Sequence, residues 1–394
     1  MESPPDPGPL DGIVVADLSR VLAGPYAAMT LGDLGANVIK VERPDTGDDT
    51  RAWGPPWADD GSTYFQALNR NKRSIALDFT VREDLEVAMR IIRHSDVVIE
   101  NFRPGSLARF GLDAEHSLAA NPRLVYCSIT GFGTSEDAQH LVGYDLLVQA
   151  SSGLMSITGW PDGPPTKVGV ALIDHVCALQ AVVGVLAALR HRDRTGVGQH
   201  VSVSLMGAAL AALLNQASGY LGAGVIPGRL GNRHPSIAPY QTFRASDGYF
   251  VLACGNDTQF AAVCAVTGIP DAASDPRFAT NPERVDHVDA LEDLLEQHFA
   301  HRKTHDIVTA LTSVGVPAGP ILDVAQAFAF ASAIGLEAIN EVEEVSGPVF
   351  RSVASPINLG ALPTRSVSAP PRLDEHRDAV CAWLDGLEGT TPGT

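Results

Sequence analysis

Apolar residues follow two rhythms along this chain, and the alternation between them predicts the fold. Short β-branched runs recur in the first third: Gly12–Leu18 (GIVVADL), Asn37–Glu42 (NVIKVE), Ser95–Glu100 (SDVVIE) and Arg123–Ile129 (RLVYCSI). Each is too short and too continuous for an amphipathic helix and reads as a strand buried on both faces. Helical spacing appears between them, at about 25–34, 82–94 and 113–119. Strands separated by helices of this length pair in parallel through βαβ units. The first third is therefore read as an open, Rossmann-like α/β sheet.

The middle of the chain changes character. From Asp174 to Leu189 alanine and valine dominate and charge is almost absent, which predicts a helix buried on most faces. The turn at 192–198 leads into an alternating strand, His200–Ser204, and then another apolar helix to about Tyr220. Glycine and proline cluster over 222–239, as suits a crossing linker. Tyr240–Arg244 and Tyr249–Ala253 flank Ser246-Asp247-Gly248 and read as a hairpin, and 257–313 reads as small, more charged helices. Together they make a smaller α+β domain. Strand-like character returns over Val349–Leu362, and Arg372–Leu387 reads as a terminal helix. The predicted organisation is a large domain begun by 1–222, a small domain with linkers over 223–332, and a return to the large domain over 333–394.

Charge narrows the partners. The 394 residues carry 28 basic and 46 acidic side chains, a formal net charge of −18. Such a surface repels nucleic acid and anionic membrane, so any anionic ligand must meet a local positive cluster. Basic residues crowd early, 12 of the 28 within the first 110 residues. Arg43 and Arg109 stand out, each just after a strand or at a loop, near where ligands sit in open α/β sheets. The five cysteines, at 127, 177, 254, 264 and 381, show no CxxC pair or metal-finger spacing, so neither a disulfide framework nor a metal is expected. The polar, proline-rich start lacks a signal pattern. The longest apolar run, Leu205–Leu214, is about half of the ~20 residues that span a bilayer. A cytoplasmic protein without a membrane partner is expected. The opening strand, helix and second strand ending in Glu42 look like a dinucleotide fold, but residues 19–25 (SRVLAGP) lack G-x-G-x-x-G, which disfavours a nicotinamide cofactor. An anion can still bind at the helix N-terminus near Pro25.

Seven phrases carry more specific information: 9–25 (PLDGIVVADLSRVLAGP), 31–51 (LGDLGANVIKVERPDTGDDTR), 69–79 (NRNKRSIALDF), 100–112 (ENFRPGSLARFGL), 143–159 (GYDLLVQASSGLMSITG), 169–205 (GVALIDHVCALQAVVGVLAALRHRDRTGVGQHVSVSL) and 231–235 (GNRHP). In this order and spacing they resemble the class III CoA-transferase family, which includes formyl-CoA and carnitine-related CoA-transferases and α-methylacyl-CoA racemase. The resemblance covers roughly residues 9–365. It implies an interlocked homodimer, with a large α/β domain made from both ends of the chain and a small domain inserted between linkers. It also implies a reaction on acyl-CoA and carboxylic acid substrates, with coenzyme A the only cofactor and no metal.

The family's catalytic aspartate matches Asp174. A carboxylate there attacks a thioester to give a mixed anhydride and then an aspartyl-CoA thioester, which is covalent catalysis. Placed at a helix N-terminus it is expected to be ionised at neutral pH, and Asp is also a preferred N-cap residue. The resemblance assigns contacts with the adenosine and phosphate portions of CoA to Val21, Leu22, Ala23, Arg43, Leu77, Asn101, Phe102 and Arg109, and a further CoA contact to Tyr144. Arg43 and Arg109 suit phosphates, while Leu77 and Phe102 can pack against adenine, with core packing the plainer alternative for both. Thr80 and Val142 stand where the formyl-CoA member has lysines. The racemase branch carries histidine in a Gly-His-Asp phrase, where this chain has Gly143-Tyr144-Asp145. Tyrosine is a poor base at neutral pH, so transfer is expected ahead of 2-methylacyl-CoA racemisation, with acyl-CoA hydrolysis a further alternative. His175 reads as structural. The region Gly231–Tyr240 replaces the glycine-rich covering loop of the transferases with two prolines, leaving the acids unnamed.

Overall fold

The computed structural model describes residues 8–59, 61–343, 349–360 and 367–389. Six parallel strands form the main sheet: β1 (Val14–Asp17), β2 (Asn37–Glu42), β3 (Lys72–Ala76), β4 (Val97–Glu100), β5 (Val125–Thr130) and β6 (Gln199–Ser204). Their order is β3-β2-β1-β4-β5-β6. The chain steps outward from β1 to β3 and then returns to place β4 on the other side of β1. The reversal opens a crevice beyond the carboxyl ends of β1 and β4, the usual ligand position in such sheets.

Side chains alternate between two cores with the period of a strand. Val15, Val97, Ile99, Val125 and Cys127 face one core, shared with α1 (Ala23–Asp33) and a long helix over Leu172–Thr195. Ala16, Ile39, Ile75, Val98 and Tyr126 face the other, shared with α2 (Arg82–Arg93) and the C-terminal helix Arg377–Gly389. Two-sided burial is why these strands read as continuous apolar runs. β3 was not anticipated, because Lys72 and Arg73 interrupt its apolar pattern; the fold buries Lys72 in an ion pair with Asp17 instead. Of two further helices, α3 (Ala114–Ala120) lies against β5, and α4 (Asp145–Ser151) lies against the long helix.

The long helix, α5, starts two residues before Asp174 and ends at Gly196, which adopts the left-handed C-terminal conformation with φ 79°. Burial on most faces was expected, yet only one side packs into the core. Val183 is 62% exposed and Leu179 is exposed as well. By length and composition α5 could cross a bilayer, and less than half of its apolar window is buried. The apolar run that follows is two helices, α6 (Leu205–Ala212) and α7 (Leu214–Ala223). Leu214 has φ 47° at the break between them.

The chain divides into two compact units. One contains the sheet and consists of the described residues up to Leu154, Val168–Gly224 and the described residues from Glu337 onward. The C-terminal segment returns to β3: Ser368 N–H donates to Asn71 Oδ1 at 2.8 Å and Ala76 N–H to Asp374 Oδ1 at 2.8 Å. The strand-like stretch expected from Val349 is seen as Phe350–Val353, antiparallel to Ile339–Val342; residues 361 and 362 lie outside the described residues.

The other unit is Met155–Lys167 with Val225–Leu336. Its three-stranded antiparallel sheet contains Tyr240–Ala245, Gly248–Ala253 and Ala318–Pro320, over a core of Phe243, Phe250, Phe260 and Phe299. Met155–Lys167 joins it through bonds such as Gly231 N–H to Gly159 O at 3.0 Å and Arg229 Nη2 to Gly163 O at 2.9 Å. Within the Gly231–Tyr240 segment, His234 Nδ1 accepts the Ser236 N–H at 3.0 Å, the role of a turn residue.

Candidate active site

Three loops leaving β1, β4 and β5 build the site. The first is Ser19–Leu22, ahead of α1. Gly24 sits so close to Ser19 that a Cβ would fall 2.2 Å from its hydroxyl, so only glycine fits. At the start of α1 the Ala23 and Gly24 N–H groups precede the first helical carbonyls and have no intrahelical acceptor. Val21 holds the left-handed region at φ 71°, costly for a β-branched residue. The second loop follows β4, where Asn101 binds the Arg20 backbone twice: Nδ2 donates to Arg20 O at 2.7 Å and Oδ1 accepts the Arg20 N–H at 2.8 Å.

The third loop returns past β5. A Cβ on Gly131 would lie 2.4 Å from the Gly143 Cα, and the reverse holds too, so this approach needs two glycines. It delivers Tyr144, and α4 begins with Asp145. Asp145 Oδ1 accepts the N–H groups of Ile173 at 2.8 Å and Asp174 at 3.1 Å. The buried Gln149 holds its other oxygen at 2.5 Å. Asp145 therefore caps α5 from another helix. The local N-cap residue, Ala171, supplies no capping side chain.

This corrects two expectations. Asp174 is the third residue of α5 rather than its cap. Nor is its carboxylate held firmly ionised: burial first, and then the Asp145 charge, push its pKa up to about 7. Desolvation outweighs the modest benefit of a helix N-terminus.

Asp174 lines a cavity of about 310 Å³ together with Val21, Leu22, Ala23, Asn101, Phe102 and Tyr144. A second cavity of about 410 Å³ is lined by Arg43, Leu77, Phe102 and Arg109. Arg20 and Phe102 wall both, so the pair suits one elongated ligand. The Arg20 guanidinium stacks over the Phe102 ring at 4.9 Å, and Arg109 over Phe110 at 4.5 Å. Arg43 is engaged by Asp49 at 2.5 Å and by Gly47 O at 3.2 Å. Leu77 is buried in the core, and the Asn101 amide serves the Arg20 backbone, so packing and loop structure account for both at least in part. Thr80 lines the second cavity and Val142 the first; neither brings a positive charge.

Three residues gain importance only from the structure. Asp145 stood unassigned within the Gly143-Tyr144-Asp145 phrase, Arg20 was one basic residue among many, and Tyr64 had no local signal. The Tyr64 hydroxyl is pushed up to about 12 by burial and by the charges of Asp174, Asp145 and Asp48. His175 packs edge-on against Tyr26, centroids 4.7 Å apart, as its structural reading expects. Among the described residues, no group of three His, Cys, Asp or Glu side chains is placed to hold a metal.

Fold and site define an α/β protein with a two-part groove at the sheet's switch point and, in the inner part, a carboxylate whose pKa is raised by burial. The profile of CoA-transferase family III matches residues 10–377. The chain is 44% identical over 390 residues to the succinate–glutarate CoA-transferase of Agrobacterium fabrum, covering 97% of each chain. It is 44% identical over 321 residues to the acetyl-CoA:oxalate CoA-transferase of Acetobacter aceti, covering 81% of this chain and 82% of that one. Among solved structures, a CAIB/BAIF family protein from Brucella suis is 45% identical and superposes with a TM-score of 0.85, covering 96% of this chain and all of the other. The chain belongs to CoA-transferase family III, and it is an enzyme that moves coenzyme A between an acyl-CoA and a carboxylic acid.

Proposed function

We propose that Asp174 is the nucleophile of this transfer. Its carboxylate attacks the donor thioester carbonyl, forming an aspartyl–acyl anhydride and releasing CoA thiolate. The thiolate attacks the aspartyl carbonyl, giving an aspartyl-CoA thioester and the free donor acid. The acceptor carboxylate then attacks that thioester, and the returning thiolate takes the new acyl group and frees Asp174. Each step exchanges one acyl bond for another. The Ala23 N–H, which has no intrahelical acceptor and belongs to a residue lining the inner cavity, is suited to stabilise the oxyanions formed along the way.

The observation that carries this reading is Asp174 itself: a carboxylate in the wall of the inner cavity, with a pKa near 7. Its burial leaves the anion poorly solvated, which favours attack on a thioester carbonyl. Coenzyme A would lie along both cavities. Arg43 and Arg109 would meet its phosphates and Leu77 and Phe102 its adenosine, while Val21, Leu22, Ala23, Asn101 and Tyr144 would flank the pantetheine. No metal enters these steps. The relatives named above are, by name, transferases between succinate and glutarate and between acetyl-CoA and oxalate, which favours a short acyl-CoA donor and a short dicarboxylic acceptor. Incubation with succinyl-CoA and hydroxylamine should convert Asp174 to its hydroxamate; turnover without that modification would reject the covalent scheme.

We also propose a homodimer. Leu179, Val183, Leu210, Leu214, Tyr220 and Leu221 leave α5, α6 and α7 with exposed apolar side chains, Leu221 at 81% and Leu214 at 71%. A patch of this kind on one chain is suited to a second copy. Analytical ultracentrifugation should give a mass near twice 41.5 kDa; a monomer at micromolar concentration would remove the proposal.

A further inference from the structure

Five ionisable side chains lie buried between β1, β2 and β3: Asp17, Lys40, Glu42, Asp48 and Lys72. None of them is the nucleophile. Buried ion pairs are weak grounds for stability, because desolvation offsets their attraction. Their geometry points to a different role. Lys40 Nζ donates to Ser19 O at 3.0 Å and to Asp48 Oδ2 at 2.9 Å. Asp48 Oδ1 accepts from Thr50 Oγ1 at 2.8 Å, from the Thr50 N–H at 3.0 Å and from the Val21 N–H at 3.3 Å. Asn101 holds both ends of Arg20. Three consecutive residues of the first loop are thus each held through the backbone by a side chain from elsewhere.

The loop that carries Asp48 is itself fixed. Glu42 Oε2 accepts the Asp48 N–H at 2.9 Å, and Arg51 grips the Glu42 carboxylate with Nε at 2.8 Å and Nη2 at 2.7 Å. The Arg51 guanidinium lies 3.8 Å over the Phe65 ring. This scaffold ends on Val21, whose φ of 71° is opposed by its branched side chain. Released from it, Val21 would relax to negative φ and turn the peptides that lead into Leu22 and Ala23. Those residues share a cavity with Asp174.

We propose that Asp48 is a positioning residue for the transfer reaction: its buried carboxylate holds Val21 in the left-handed conformation that sets Leu22 and Ala23 against the reacting groups. The proposal rests on the Asp174 cavity being the reaction site, which the Asp174→Asn variant tests separately. In Asp48→Asn the amide cannot serve both neighbours. With its oxygen toward Val21 its NH2 faces the Lys40 ammonium, and flipped, its NH2 faces the Val21 N–H. Thr50→Val is the gentler change, removing one donor from the same oxygen while leaving every charge in place.

The test uses steady-state exchange between succinyl-CoA and glutarate, with melting temperatures, for Asp48→Asn, Thr50→Val, Val21→Gly and each of the first two combined with Val21→Gly. Asp48→Asn should lower kcat by about ten- to a hundredfold and change KM for succinyl-CoA far less. Thr50→Val should lower kcat by roughly two- to fivefold. Glycine reaches positive φ without penalty, so adding Val21→Gly should restore part of the kcat lost in either background. A merely structural Asp48 would give losses that multiply, with kcat following the melting temperature, and that result overturns the proposal. If Asp48→Asn fails to fold, the Thr50→Val pair decides by the same criterion.

Discussion

Replacing Asp174 with asparagine keeps the shape of the side chain and removes its charge. The carboxyl is displaced from an ordinary 3.8 to about 7 by burial and by Asp145. At 1.36 kcal/mol per pK unit, that difference corresponds to a destabilisation of about 4 kcal/mol when the group is fully ionised. Partial access to solvent through the cavity reduces the figure to about 1–3 kcal/mol. The sign follows from a raised folded-state pKa. Relative to pH above 7, the folded protein gains stability by holding this proton; that gain is fully present below about pH 4 and lost as pH rises through 7. Asparagine does not titrate. The melting temperature of Asp174→Asn minus that of the parent should therefore be near zero at pH 4 and grow to a few degrees by pH 8, while exchange activity disappears. Calorimetry or dye-based melting at pH 4, 6 and 8 reads this directly. A difference that is flat or shrinks with pH would mean that the carboxylate is comfortably ionised and that the burial argument is wrong.

Other outcomes follow from the same geometry. Single-turnover acylation should gain an acidic limb near pH 7, and Asp145→Asn should move it lower by removing the neighbouring charge; an unmoved limb would place the titrating group elsewhere. Asp145→Ala should also lower the melting temperature, because two N–H groups at the start of α5 lose their acceptor, at a cost of about 1–2 kcal/mol. Arg43→Gln and Arg109→Gln should each raise KM for acyl-CoA by roughly tenfold or more with little change in kcat; unchanged KM in both would remove the phosphate assignment. A 2-methylacyl-CoA incubated in heavy water should take up no deuterium at C2, and uptake would bring racemisation back.

The apolar rhythm of this chain was enough to place most of its sheet. Val14–Asp17, Asn37–Glu42, Val97–Glu100 and Val125–Thr130 are buried on both faces, so their local composition already matches their surroundings. β3 escaped that logic because Lys72 and Arg73 look solvent-facing in one dimension; only the distant Asp17 explains why Lys72 can be buried. Family phrases singled out Asp174, but no local pattern could say how it is held or ionised. Its cap comes from Asp145, 29 positions away, and its pKa from burial that the packed fold alone creates. Periodicity is a short-range property and survives in the sequence. The electrostatics of a buried carboxylate depend on everything packed within a few ångströms of it, and that was decided only when three loops closed around the crevice beyond β1 and β4.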